Sequence, residues 1–78
     1  MAGIVDKLKF IRNVVENRDT SENAVTLLTD LKTDKELLPV YKVPISVLAI
    51  AALDLLGIEQ YHGSDDDVQL WKDNLLNA

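Results

Sequence analysis

"PISVLAIAALDLLG", Pro44 to Gly57, decides how this chain folds: of its fourteen residues only Ser46 and Asp54 carry polar side chains. Three alanines, with no threonine and no aromatic residue, favour helix over strand. Pro44 suits the first helical position, where an amide hydrogen is not needed, and Gly57 suits a left-handed exit. At 1.5 Å per residue the stretch covers about 21 Å. A bilayer's hydrocarbon core of roughly 30 Å asks for about 20 apolar residues, so the segment reads as a core helix and not as a membrane span. Ser46, Ile50 and Asp54 recur every four residues along one narrow line, and a helix apolar nearly all round must be covered nearly all round. Two arrangements satisfy that demand. Either the rest of the domain wraps the helix, or a leftover face that includes Ala49, Ala52 and Leu56 meets a second copy or another protein.

Outward from this segment, three further helices are expected. Ile4, Leu8, Ile11 and Val15, flanked by Val5 and Val14, recur at helical spacing and predict an amphipathic helix ending near Asn17. In "DTSENAVTLLTDL", Asp19 or a neighbouring hydroxyl can cap a second helix, with Glu22 at capping-box spacing from Asp19. Its inner face is expected to be Val25, Leu28 and Leu31, with Ala24 and Leu27 beside them. "TDKE", Thr33 to Glu36, repeats the capping-box pattern and predicts a helix bend or a short separate turn, stopped by Pro39. Pro39 to Val43 reads as extended chain, because Pro44 pushes Val43 away from helical geometry. Ser64 before Asp65, Asp66 and Asp67 marks the last helix start, with carboxylates at the positive end of the helix dipole. There Val68, Trp71 and Leu75 form the buried stripe, Leu76 borders it and Leu70 falls off it. The expected fold is an all-α, single four-helix domain over residues 1–78, with a central apolar third helix and an extended, proline-flanked joint before it.

A chain of 78 residues, 47% hydrophobic and 27% charged, is a small globular domain whose core is marginal. With no cysteine and one histidine, neither a disulfide nor a structural zinc site can staple it. Self-association or a partner is left as the staple. Asp6, Lys7 and Lys9 interrupt what a secretory signal would need as its apolar core, and position 2 is alanine, not the glycine that accepts myristate. A cytoplasmic location is the expectation. Net charge is −5. Residues 1–18 carry four bases against two acids, and residues 19–78 carry four bases against eleven acids. This acidity disfavours nucleic acid and favours a basic protein partner or head-to-tail contact between copies.

No catalytic constellation is apparent. His62 has no cysteine, second histidine or G-x-S-x-G motif to work with, the three glycines are scattered, and Ser21 is followed by Glu22, not by the leucine of an Asp-Ser-Leu prosthetic-group triplet. Asp65, Asp66 and Asp67 lack the alternating ligands and distal glutamate of a calcium loop. They read as solvated helix-start acids. Asp54 reads as part of a solvated stripe with Ser46, the other reading being a buried carboxylate paired with a base such as Lys42. Trp71 reads as a core anchor, and Tyr41 in the joint as half exposed and suited to an interface. The expected function is therefore a non-enzymatic, acidic helical interaction module (an adaptor, assembly factor or inhibitor) that self-associates through apolar helix surface, without cofactor, metal, membrane or direct nucleic-acid binding. Its partner contacts are expected at Tyr41, Ala49, Ala52, Leu56, Asp65, Asp66 and Asp67. The alternative is an acidic antagonist whose carboxylates, Glu59 and Asp73 included, occupy a basic nucleic-acid-binding surface of a target. Salt separates the two, because screening weakens charge pairing more than apolar contact.

Overall fold

The computed structural model describes residues 3–77; the reading of Ala2 falls outside them. The helices are α1 (Ile4–Glu16), α2 (Glu22–Leu31), α3 (Ile45–Leu55) and α4 (Asp66–Leu76). Among the described residues there is no strand, and the one extended pairing is an isolated antiparallel bridge between Leu37 and Pro44. The fold is all-α with four helices, as the periodicity predicts.

α3 lies at the centre and packs against α1, α2 and α4, while α1 also meets α4. Ile45, Val47, Leu48, Ala49, Ala51, Ala52 and Leu53 are all buried. Burial of Ile45, Leu48 and Leu53 contributes about 1.5–3 kcal/mol apiece. The wrapped arrangement is therefore the one adopted. Ala49 and Ala52, expected to face a partner, are 0% exposed and belong to the core. Alanine leaves room for a neighbouring helix to come close, and here that room is filled from within.

The other helices supply the wrapping with one face each. α1 buries Ile11, Val14 and Val15, with Ile4 and Leu8 packed at the margin. α4 buries Val68, Trp71 and Leu75, while Leu70 and Leu76 are exposed. α2 departs slightly from its expected face: Ala24, Leu28 and Leu31 are buried, and Val25 and Leu27 lie half-buried at its edge.

Helix ends show what spacing alone misses. α3 leaves through Gly57 at φ 74, with the Gly57 amide donating to the Asp54 carbonyl and the Ile58 amide to the Leu53 carbonyl, both at 3.0 Å. α1 ends with the same double bond pattern, from Arg18 to Val15 and from Asp19 to Val14, but the left-handed residue is Arg18 at φ 49. Ser21 caps α2, its hydroxyl accepting the Ala24 amide at 3.3 Å. Asp19 instead accepts the Ser21 amide at 3.0 Å, and Glu22 opens the helix without closing a capping box on Asp19. Asp65, not Ser64, caps α4, accepting the Asp67 amide at 2.9 Å. Pro44 is the cap of α3 and not its first helical residue.

Between α2 and α3 the chain differs most from expectation. Thr33 donates back to the Asp30 carbonyl, and the Asp34 carboxylate takes the Glu36 amide at 2.9 Å, so no capping box or helical turn forms over Thr33–Glu36. Pro39, Val40 and Tyr41 make a turn and not extended chain. Leu38 donates to the Val43 carbonyl and Lys42 to the Leu38 carbonyl, both at 2.9 Å, and Lys42 reverses direction at φ 59. Proline's fixed φ suits the second position of a turn as well as it suits extended chain; the closing hydrogen bonds, not proline, decide between them. The returning chain then caps α3: the Glu36 and Asp34 carbonyls accept the Ile45 and Ser46 amides, each at 2.9 Å.

Candidate functional site

Much of the charge is used inside the domain. Lys7 on α1 reaches Asp34 at 2.5 Å and Glu36 at 3.2 Å. Its hydrogen bond to Asp34, then that to Glu36, holds the Lys7 ammonium above the ordinary lysine range. The same bond from Lys7, helped by the Glu36 amide, holds the Asp34 carboxyl below the ordinary range. Lys32 likewise pairs with Glu59 and ties α2 to the loop after α3. Part of the contrast between a basic first helix and an acidic remainder is thus resolved within one molecule.

Asp54 is not part of a solvated stripe, and its base is not Lys42. One carboxylate oxygen accepts the Tyr61 amide at 3.0 Å and the other pairs with Lys72 on α4 at 3.2 Å, leaving the side chain 16% exposed. Asp54 and Lys72 form one wall of a cavity of about 300 Å³ that Tyr61, Asp65, Asp66 and Val68 also line. Tyr61 spans it, its hydroxyl accepting the Asp65 amide at 3.1 Å. With both oxygens of Asp54 and one of Asp65 committed to the domain's own donors, these groups act as joinery between the end of α3 and the start of α4. Among the described residues no three His, Cys, Asp or Glu side chains converge as a metal site.

The turn from Leu37 to Lys42 presents the opposite chemistry. Val40 is 84% exposed, Tyr41 58% and Leu37 52%, while Leu38 and Val43 beside them are buried. Apolar side chains of this size are ordinarily withdrawn from water, and three together on one turn form a patch with a reason to be covered. Beneath it, Tyr41 meets the buried ring of Trp71 edge to face, with centroids 5.1 Å apart and an interplanar angle of 82°. Such a pair contributes roughly 0.5–1.5 kcal/mol beyond area burial. It sets the turn against α4. The Trp71 indole N–H is buried without an acceptor among the described residues, a situation that costs about 1–3 kcal/mol. Lys35 and Lys42 flank the patch, exposed and without an ion pair among the described residues.

The expected contact residues therefore scatter. Tyr41 stands on the exposed turn, Ala49 and Ala52 lie in the core, Leu56 packs half-buried at its margin, and Asp65, Asp66 and Asp67 are exposed at the start of α4. Only Asp65 and Asp66 share a cavity. Sequence reasoning missed Leu37 and Val40, whose signal was two apolar side chains in a joint without periodicity. It also missed Lys72, which is remote from Asp54 along the chain and carries no local sign of the pairing. No protein-family model, curated protein or solved structure matches the chain.

Proposed function

We propose that this chain is a non-enzymatic protein-interaction module that binds through the turn from Leu37 to Lys42. The observation that carries the reading is the exposure of Leu37, Val40 and Tyr41 together on a hydrogen-bonded turn seated on Trp71. An apolar patch is cheap to desolvate, and a turn whose backbone is already closed by hydrogen bonds loses little backbone entropy on binding. Because Ala49 and Ala52 are covered, they offer self-association nothing to work through, and the turn gathers three exposed apolar side chains that could serve it instead. Capture from a native extract with the purified chain, set beside a Leu37→Asp/Val40→Asp variant of unchanged thermal melt, tests the reading. A partner retained by the original chain and lost by the variant is the expected result. Equal retention by both sinks it.

The acidic-antagonist reading keeps one observation in its favour. Asp65, Asp66 and Asp67 are all exposed at one helix start, with no ion pair among the described residues. In that case capture fails in an Asp65→Asn/Asp66→Asn/Asp67→Asn variant and collapses as salt rises. Capture through the turn persists under both changes.

A further inference from the structure

The apolar turn meets the buried indole through the Tyr41–Trp71 ring pair. Tyr41 is the most exposed aromatic residue of the chain, while Trp71, whose ring it meets edge to face, is 1% exposed with no acceptor for its N–H among the described residues. A buried donor without an acceptor is retained at a cost, and an acceptor brought by a ligand removes that cost. Beside the turn, Lys35 and Lys42 are exposed cations without an ion pair among the described residues, in a chain of net charge −5. We propose that the turn receives an acidic, apolar-bearing segment of a protein partner: Tyr41 swings aside, the segment's carbonyl or carboxylate oxygen accepts the Trp71 indole N–H, and its acidic side chains meet Lys35 and Lys42.

This rests on the turn being the binding surface and adds the chemistry of what binds there. A polypeptide fits better than a nucleic acid, because Leu37, Val40 and Tyr41 present apolar surface that a phosphate chain gains nothing by covering; the net charge of −5 opposes any acidic ligand, and Lys35 and Lys42 are the local exception to it. The lysines favour acidic over basic segments through charge complementarity. Displacement of Tyr41 leaves the core intact, since the turn's closing hydrogen bonds run through the backbone of Leu38, Lys42 and Val43.

Trp71 is the one tryptophan in the sequence, so its indole N–H gives a single nuclear magnetic resonance signal. The full chain is titrated with a short synthetic peptide of Glu, Leu and Phe, with the same peptide carrying Lys for Glu, and with a single-stranded oligonucleotide. The acidic peptide is expected to shift the indole signal saturably and to slow its hydrogen exchange. In the free chain that proton is expected to exchange faster than the amides of Leu48 and Ala51, because a side-chain lid opens without global unfolding. A Lys35→Glu/Lys42→Glu variant is expected to bind the acidic peptide roughly tenfold more weakly. Equal binding of the basic peptide, equal binding by the variant, preference for the oligonucleotide, or indole exchange limited to global unfolding each overturns the proposal. A signal that moves with protein concentration and not with peptide makes the occupant a second copy, which also overturns it. If peptide shifts the amides of residues 37–42 but leaves the indole unmoved, capture of the N–H is wrong while the turn remains a binding surface.

Discussion

Gly63 is held to glycine by its neighbour and not by its own backbone. A Cβ there lies 2.2 Å from the Tyr61 hydroxyl oxygen and 2.4 Å from the ring carbon that bears it, so Tyr61 has to move and lose its bond from the Asp65 amide. We expect Gly63→Ala to destabilise the chain by about 1–3 kcal/mol, the usual penalty of overpacking. In a Tyr61→Ala background the same change should cost far less, because the obstacle is gone. Urea unfolding of the four chains closes this cycle, and equal costs in both backgrounds rule out the steric account. Arg18 is the reverse case. It sits at φ 49, where an L side chain costs roughly 1–2 kcal/mol, and glycine there gives back about 0.5–1 kcal/mol in added unfolded-state entropy. Arg18→Gly is therefore expected to stabilise by roughly 0.5–1 kcal/mol in the same assay. Gly57 was legible in the sequence because glycine after an apolar helix is the usual exit signal. Arg18 and Gly63 were not: one is a non-glycine in a glycine's conformation, and the other depends on where a tyrosine ring comes to lie.

At the scale of elements, α3 depends on a loop for its start. Pro44 offers no capping side chain, and the carbonyls of Asp34 and Glu36 stand in, while Lys7 pins those same two residues to α1. The pH dependence follows from the two shifts. Asp34, held below its ordinary value of 3.8, contributes stability that is complete above pH 3.8 and is lost as pH falls through its lower folded value. Lys7, held above 10.5, contributes stability that is complete below pH 10.5 and is lost as pH rises through its higher folded value. Lys7→Met is expected to lower the melting temperature at neutral pH and to flatten its fall at both extremes. Parallel curves for the two chains across the whole pH range would remove the latch. The coverage of α3 gives a second test: Ala49→Asp and Ala52→Asp each bury an unpaired carboxylate and are expected to prevent folding, whereas Leu56→Asp at the half-buried margin leaves a folded, weakened chain by circular dichroism. The existence and order of the helices were legible because each long segment carries its own apolar period. The Leu37–Lys42 turn was not, because proline permits both outcomes and the backbone hydrogen bonds of Leu38 with Lys42 and Val43, which no side-chain pattern announces, choose between them.

Across the whole molecule, a net charge of −5 is expected to oppose contact between copies at neutral pH, and the apolar turn is the surface proposed to favour it. Sequence made the acidity and the small core legible; it left open whether that core is filled from within and could not locate the exposed patch, because whether α3 or the joint remains uncovered depends on how three helices share one neighbour. The balance between repulsion and contact is open to experiment. Near the sequence pI of about 4.5 the mutual repulsion vanishes, and any association that follows has to pass through exposed apolar surface. Light scattering is expected to rise as the chain is acidified from neutral toward that value. Leu37→Gln/Val40→Gln keeps the charge of every ionisable group and removes the two largest aliphatic contributions to the turn, so it should suppress the rise while leaving the melting temperature at neutral pH nearly unchanged. A rise of equal size in the variant would place the adhesive surface elsewhere, with exposed Leu70 and Leu76 on α4 the next residues to substitute.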